Sequence, residues 1–462
     1  MPNKLINLNT TKMKLKNYYL LTFTFTMLSL CLSTLTVKAQ APEETPIDTL
    51  ARAVNKMADD ISFLKKIKFS GYIQSQFQVA DSMGAKSFAG GDFPATVDKR
   101  FKVRRAEFKT MYDNGKVQVV ANINVSQDGI TIKDAYGKWS EQRLKMFSLT
   151  AGIFNRPFGF ENSYSSGSLE SPERARMIQV LLPGERDCGA MLTFQMPNTS
   201  ALHPLKIEAG VFNGTGNAAN DFDYYKDFIG NIHWTSTNKS EKIKYALGVS
   251  FYDGGVRQGS DSVYTMKADS NGTNSFILNK SYSNNGAIAR RQYMGADAQV
   301  SFDFPFGITT LRAEYITGQQ PGTSGTSSSP SALPVDSKNS KNTYIRKFDG
   351  AYFYLVQNIF QSKHAIVLKY DWYDANTEVN GDNIGKTVLA TKGNSYKATG
   401  TNDLKYTTIG VGYILKVDNN LKFTVYYDMV SNEKSTNLIN SGFWYNRDLK
   451  DNVLTIRAQY KF

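Results

Sequence analysis

Histidine and cysteine are scarce in this chain, and their scarcity removes whole classes of chemistry. Three histidines in 462 residues leave little material for a general base or a metal centre. Of the two cysteines, Cys31 falls in a segment expected to be removed. Cys188 then stands alone, which excludes an intrachain disulfide and a thiolate metal cluster. Past the amino-terminal segment there is no run of about eighteen apolar residues, so no helical membrane span is expected. Tryptophan is rare at 4, against 26 Tyr and 28 Phe. No glycine-rich phosphate loop, metal-ligand spacing or nucleotide fingerprint occurs, so no cofactor is expected.

What is present begins with a leader. Lys12, Lys14 and Lys16 precede an apolar run from Tyr18 to Val37 that ends Val37-Lys38-Ala39. A basic start, apolar middle and small-residue exit predict a secretory signal peptide over residues 1–39. The formal charge is +13, and removing the leader's five lysines leaves +8. A basic balance suits an anionic membrane or a small anion, and secretion argues against nucleic acid. Over residues 40–66, Ile47, Leu50, Val54, Met57, Ile61 and Leu64 recur at spacings of three and four. That seam predicts a periplasmic amphipathic helix or a short coiled coil helping to hold an oligomer.

From Lys68 the period changes to two. Phe69, Gly71, Ile73, Ser75, Phe77 and Val79 alternate with Ser70, Tyr72, Gln74, Gln76 and Gln78. The last residues do the same: Leu454, Ile456, Ala458, Tyr460 and Phe462 alternate with Thr455, Arg457, Gln459 and Lys461. Candidate strands lie near 68–79, 100–112, 117–126, 131–140, 145–155, 187–196, 205–213, 226–237, 241–253, 289–304, 307–317, 347–360, 364–374, 404–416, 421–431 and 450–462. Their connections alternate short and long, with 127–130 the one short member of the long set. Alternating turns and loops, with about ten residues per strand, predict an all-β transmembrane antiparallel barrel of about 16 strands over residues 67–462. If the last strand closes on the first, no edge is left open and the polar face lines the interior. The terminal Phe462 resembles the assembly signal of bacterial outer-membrane barrels. Both chain ends are then expected on the periplasmic side.

Two stretches carry charge where a pore would need it. In Arg100-Phe-Lys-Val-Arg-Arg-Ala-Glu107, alternation turns Lys102 and Arg104 toward the lumen, with Arg100 nearer the outer mouth. Arg105 breaks the alternation and requires either a β-bulge or a subunit contact, because a lipid-facing Arg at mid-depth costs about 2–4 kcal/mol. A file of guanidinium groups favours anions and offers bidentate contacts to phosphate, although acids such as Glu107 could balance it. The long loop 156–186 carries Arg156, Arg174, Arg176 and Arg186 beside Glu161, Glu170, Glu173 and Glu185. It also holds the apolar run Met177 to Leu182, which an exposed loop has no reason to carry. Folding the loop inward would bury that run and narrow the pore; lying over a neighbouring subunit is the alternative.

Several short segments, taken in order, resemble the phosphate-selective porin O and P family in its Bacteroidetes form. They are Phe69-Ser-Gly-Tyr-Ile-Gln, Phe101-Lys-Val-Arg-Arg-Ala, Lys133-Asp-Ala-Tyr, Ala151-Gly-Ile-Phe-Asn-Arg-Pro-Phe-Gly, Pro183-Gly-Glu-Arg-Asp-Cys-Gly and Gly210-Val-Phe-Asn-Gly. The resemblance implies a sixteen-stranded homotrimeric outer-membrane porin with inward-folded loops and an Arg/Lys ladder passing small anions such as phosphate. Within it, Arg104 and Arg105 match the family's paired arginines, and Arg156 and Arg186 fall on motif positions. A general diffusion pore without phosphate preference is the nearest alternative. A barrel enzyme would need a histidine with a partner, yet His203 falls in a turn, His364 starts a strand and His233 faces the lumen, so no catalytic residue is assigned. An adhesin or structural barrel is the remaining reading.

Overall fold

The computed structural model describes residues 46–216, 220–268, 272–330, 342–388, 395–440 and 443–462; the expected signal peptide lies outside them. The described residues divide into two units, one ending at Lys65 and the other Lys66–Phe462. In the first, α1 (Pro46–Leu64) places Leu50, Val54, Met57, Ile61 and Leu64 on an exposed apolar seam.

In the second unit the period-2 segments become strands. They are β1 (Ile67–Ala80), β2 (Lys99–Asp113), β3 (Val117–Ser126), β4 (Gly129–Ser140), β5 (Phe147–Asn155), β6 (Arg186–Gln195), β7 (Leu205–Phe212) and β8 (Asp227–Thr237). The second half comprises β9 (Ile243–Arg257), β10 (Ile288–Phe304), β11 (Gly307–Gly322), β12 (Thr343–Asn358), β13 (His364–Asp374), β14 (Lys405–Lys416), β15 (Leu421–Asn432) and β16 (Val453–Lys461). Each pairs antiparallel with its neighbour in sequence, and β1 pairs with β16 from Tyr72↔Lys461 to Ala80↔Val453. The result is a closed barrel of 16 antiparallel strands, which leaves no unpaired edge in the wall.

Alternation decides what each face meets. In β16, Thr455, Arg457 and Gln459 are buried inside, while Ile456 and Tyr460 are exposed outside. In β1, Gln74, Gln76 and Gln78 point in beside them, and Gln74 donates to Gln459 Oε1 at 2.7 Å. Outside, Phe101 is 81% exposed, and Val119, Leu149, Leu247, Phe353, Val411 and Val425 continue the apolar surface around the wall. Such a surface is stable only in hydrocarbon or against another chain. Among the described residues no helix is long and apolar enough to cross a membrane, so any crossing is by strands.

Long loops gather at one end of the barrel and short turns at the other. The long loops contain extra strands that their polar sequences did not suggest. Ser262–Ala268 pairs with Asn274–Lys280, which also meets Tyr396–Lys397, and Ile439–Asn440 pairs with Phe443–Trp444.

Candidate functional site

The loop between β5 and β6 folds into the barrel. Its short helix α2 (Arg176–Leu181) buries Met177, Ile178, Val180 and Leu181, together with Leu182, against Ile316, Phe348, Tyr352 and Tyr373 of the wall. Removing these side chains from water is what holds the loop inside. Directed bonds then fix its path. Glu314 of β11 accepts the backbone N–H groups of Phe160 (3.3 Å) and Glu161 (3.0 Å). Arg312 forks onto Glu170 at 2.7 and 2.8 Å, and Lys422 Nζ donates to the carbonyls of Gly167 and Leu169. At Gly159, φ is +64° and a Cβ would lie 1.9 Å from Glu314 Oε1, so only glycine fits the crossing.

The basic cluster arises from two β-bulges that flank β3. In β2, Gln74 pairs with Arg105 and Ser75 with Val103, so Arg104 is the extra residue. In β4, Asn122 pairs with Asp134 and Ile123 with Ile132, so Lys133 is the extra residue. Each bulge turns two consecutive charged side chains toward the lumen, where regular pleating would allow one. Arg104 and Arg105 thus both face Glu173 on the loop. Arg104 holds it with two bonds of 2.6 and 2.7 Å, Arg105 reaches it at 3.3 Å, and Arg457 from β16 at 3.2 Å. Beside them Glu185 accepts from Arg174 at 2.7 Å, lies 3.5 Å from Lys133, and is also bonded by Arg186, which reaches Asp134 at 3.1 Å.

Six cations therefore share three carboxylates. Burial alone would raise the Glu173 carboxyl, but Arg104, Arg105 and Arg457 outweigh it and hold it well below the usual carboxylate range. Glu185 is lowered in the same way, burial being outweighed by Arg174, Lys133 and Arg186. Both stay ionised, and the cluster keeps a positive excess.

The other expected residues sit at different distances from this cluster. Arg100 donates to Gln78 Oε1 (3.0 Å) and to the carbonyls of Asp92 and Gly90, with its guanidinium 3.9 Å from the Phe93 ring centroid. Lys102 pairs with Asp128 at 2.8 Å. Arg156 donates to the Pro183 carbonyl at 3.0 Å and ties the loop's two ends together. Arg174 also binds the carbonyls of Glu161 and Tyr164, so it organises the loop from within. Arg176 lies over the rings of Tyr406 (3.6 Å) and Phe88 (4.8 Å), and its Nε has no hydrogen-bond partner. Lys133 and Arg457 belong to the cluster but were not singled out from sequence. Arg457 was legible as a cation on the inner face of β16, which also carries Lys461; Lys133 was hidden by its bulge.

Two cavities border these ion pairs. One of about 1210 Å³ runs toward the short turns and is lined by Tyr72, Glu107, Asp134, Tyr164 and Arg186 among others. His233 lies on it, 2.9 Å from Asp297. The other, about 230 Å³, lies between the loop and the bulged strands and is lined by Arg104, Arg105, Lys133, Glu173, Arg174 and Glu185. Among the described residues no group of three or more metal-ligating side chains occurs.

A closed barrel with an inward loop and a charged constriction is matched at the level of sequence: the sequence model of the family "Phosphate-selective porin O and P" covers residues 85–462. The chain belongs to this family. Pseudomonas putida OprB, in its high-pH structure, is similar with a TM-score of 0.51 and 10% identity over 88% of this chain and 97% of that one. An anion-selective porin from Comamonas acidovorans has a TM-score of 0.47 at 10% identity over 86% and 99% of the two chains. The outer membrane channel DcaP of Acinetobacter baumannii has 0.46 at 11% over 86% and 97%. At such identities a likeness speaks to the fold alone. No curated protein matches the chain. The porin is accordingly a bacterial outer-membrane channel, and its apolar outer belt faces lipid.

Proposed function

We propose that this porin passes small anions by passive diffusion and that oxyanions such as phosphate bind transiently at its constriction. The observation that carries the reading is the cluster of six cations over three carboxylates, four of whose cations (Arg104, Arg105, Lys133 and Arg174) and two of whose carboxylates (Glu173 and Glu185) line the 230 Å³ cavity. A positive excess in a narrow, partly desolvated passage lowers the barrier for anions and raises it for cations. Arginine forks suit planar pairs of oxygens, so phosphate gains contacts that chloride does not. Arg104 and Arg105 are the binding groups from the expected set, with Lys133 and Arg457 added, and Arg176 is held between the rings of Phe88 and Tyr406. Arg100 and Lys102 guide ions at the long-loop mouth, and Arg156, Arg174 and Arg186 hold the loop in place.

In this reading residues 1–39 direct export, both ends of the chain lie in the periplasm and the long loops face outward. The apolar seam of α1 serves as a short coiled coil in a homotrimer, with residues 40–66 as a periplasmic segment and 67–462 as the barrel. That Arg174 and Arg186 are ion-paired and Arg156 is bound to the Pro183 carbonyl favours a second reading, a general diffusion pore with no phosphate preference. Single-channel recording in a planar bilayer separates the two. A reversal potential favouring chloride over potassium, with phosphate depressing the chloride current, is expected. Anion preference without phosphate block points to the general pore, and cation preference refutes the anion reading.

A further inference from the structure

We propose that Glu173 is a tethered rival of the permeating anion: it occupies the seat formed by Arg104, Arg105 and Arg457, and an oxyanion passes by displacing it. The proposal rests on the anion-pore reading and adds the residue that sets its specificity. Glu173 presents two oxygens to Arg104 at 2.6 and 2.7 Å, the fork geometry in which a guanidinium also takes phosphate or a free carboxylate. The seat is therefore already shaped for a two-oxygen anion, and the loop fills it with one of its own.

The surroundings allow the exchange. Glu173, Arg104 and Arg105 all line the 230 Å³ cavity, and the Arg104 side chain is 33% exposed, so an incoming ion meets the pair directly. The backbone around Glu173 does not depend on its carboxylate. Arg457 donates to the Pro172 carbonyl at 2.7 Å, and Ser171 Oγ lies 2.7 Å from Tyr354 Oη. Displacement then requires only a side-chain rotation. The arrangement also solves two problems of a selective pore. With no ion bound, Glu173 keeps three guanidinium groups from repelling one another. With an ion bound, its return helps expel the ion, which conduction requires. Chloride offers a single atom and cannot replace a two-oxygen fork, so Glu173 discriminates among anions.

The test compares the full-length porin with Glu173→Gln and Glu173→Asp in planar bilayers, with inorganic phosphate titrated into chloride. Folding of each is checked by heat-modifiable gel mobility. Glu173→Gln is expected to lower the half-blocking phosphate concentration on the order of tenfold, as befits loss of a competing charge-assisted contact. Glu173→Asp, shorter by one methylene, is expected to shift it in the same direction by less, and carries the test if Glu173→Gln does not fold. An unaltered pore that prefers anions and is blocked by phosphate, beside variants whose block is unchanged or weaker, overturns the proposal alone. An unaltered pore that phosphate does not block overturns the proposal together with the reading beneath it.

Discussion

Single residues set the shape of the passage. Gly159 is a tight case inside the loop, because its positive φ and its contact with Glu314 leave no room for a side chain. Gly159→Ala is expected to destabilise the loop by about 1–3 kcal/mol through backbone strain and the displaced carboxylate. The readout is a lower unfolding temperature and added noise in the open-channel current. Asp451 offers a pH test outside the strands. Burial pushes its carboxyl up to about 7, although Arg176 pulls the other way. A carboxyl whose folded value is raised holds its proton longer in the folded state than in the unfolded one. Stability from this group therefore falls as pH rises from about 4 to about 7 and is level above that. The protection factors of amides in residues 443–452, each taken relative to intrinsic exchange at the same pH, are expected to be larger at pH 5 than at pH 8, and Asp451→Asn to remove the difference.

Among elements, the two bulged strands matter most. Deleting Arg104 leaves Gln74↔Arg105 and Ser75↔Val103 free to join in one regular ladder. The barrel is expected to fold with unchanged register, lose one lumenal cation and show a smaller chloride-over-potassium ratio. A deletion that abolishes folding would mean the bulge is needed for closure. The elements themselves were legible. Every wall strand lies within a few residues of its period-2 segment, because one face meets lipid and the other a polar lumen over its whole length. The inward loop was legible from Met177 to Leu182. The Arg104–Arg105 doublet announced a bulge, since one of the pair would otherwise face lipid. Lys133-Asp134 gave no such warning, because a single lysine beside an acid also fits a regular strand. Nor could sequence show that Glu173 and Glu185 would each collect three cations, which depends on where the loop crosses.

Across the whole molecule, the two faces of the wall obey opposite rules. An arginine placed outward at Val411 is expected to cost about 2–4 kcal/mol in bilayer-based denaturation, whereas Gln118→Arg, on the inner face and lining the 1210 Å³ cavity, costs far less. Equal penalties would deny the lipid-facing assignment. Closure has a further consequence, and it concerns time. Gln74 and Gln459, bonded across the β1–β16 seam, are 385 residues apart. Joining them costs about 4 kcal/mol more loop entropy than closing a four-residue hairpin. The seam also unites the first wall strand to leave the ribosome with the last. Until β16 arrives, β1 keeps an open edge, and Gln74, Gln76 and Gln78 lack their partners on that side. A chain that lacks β16 therefore leaves this edge of β1 without the partner it has in the closed wall, and truncation before β16 is expected to favour pairing with other chains over a sealed channel.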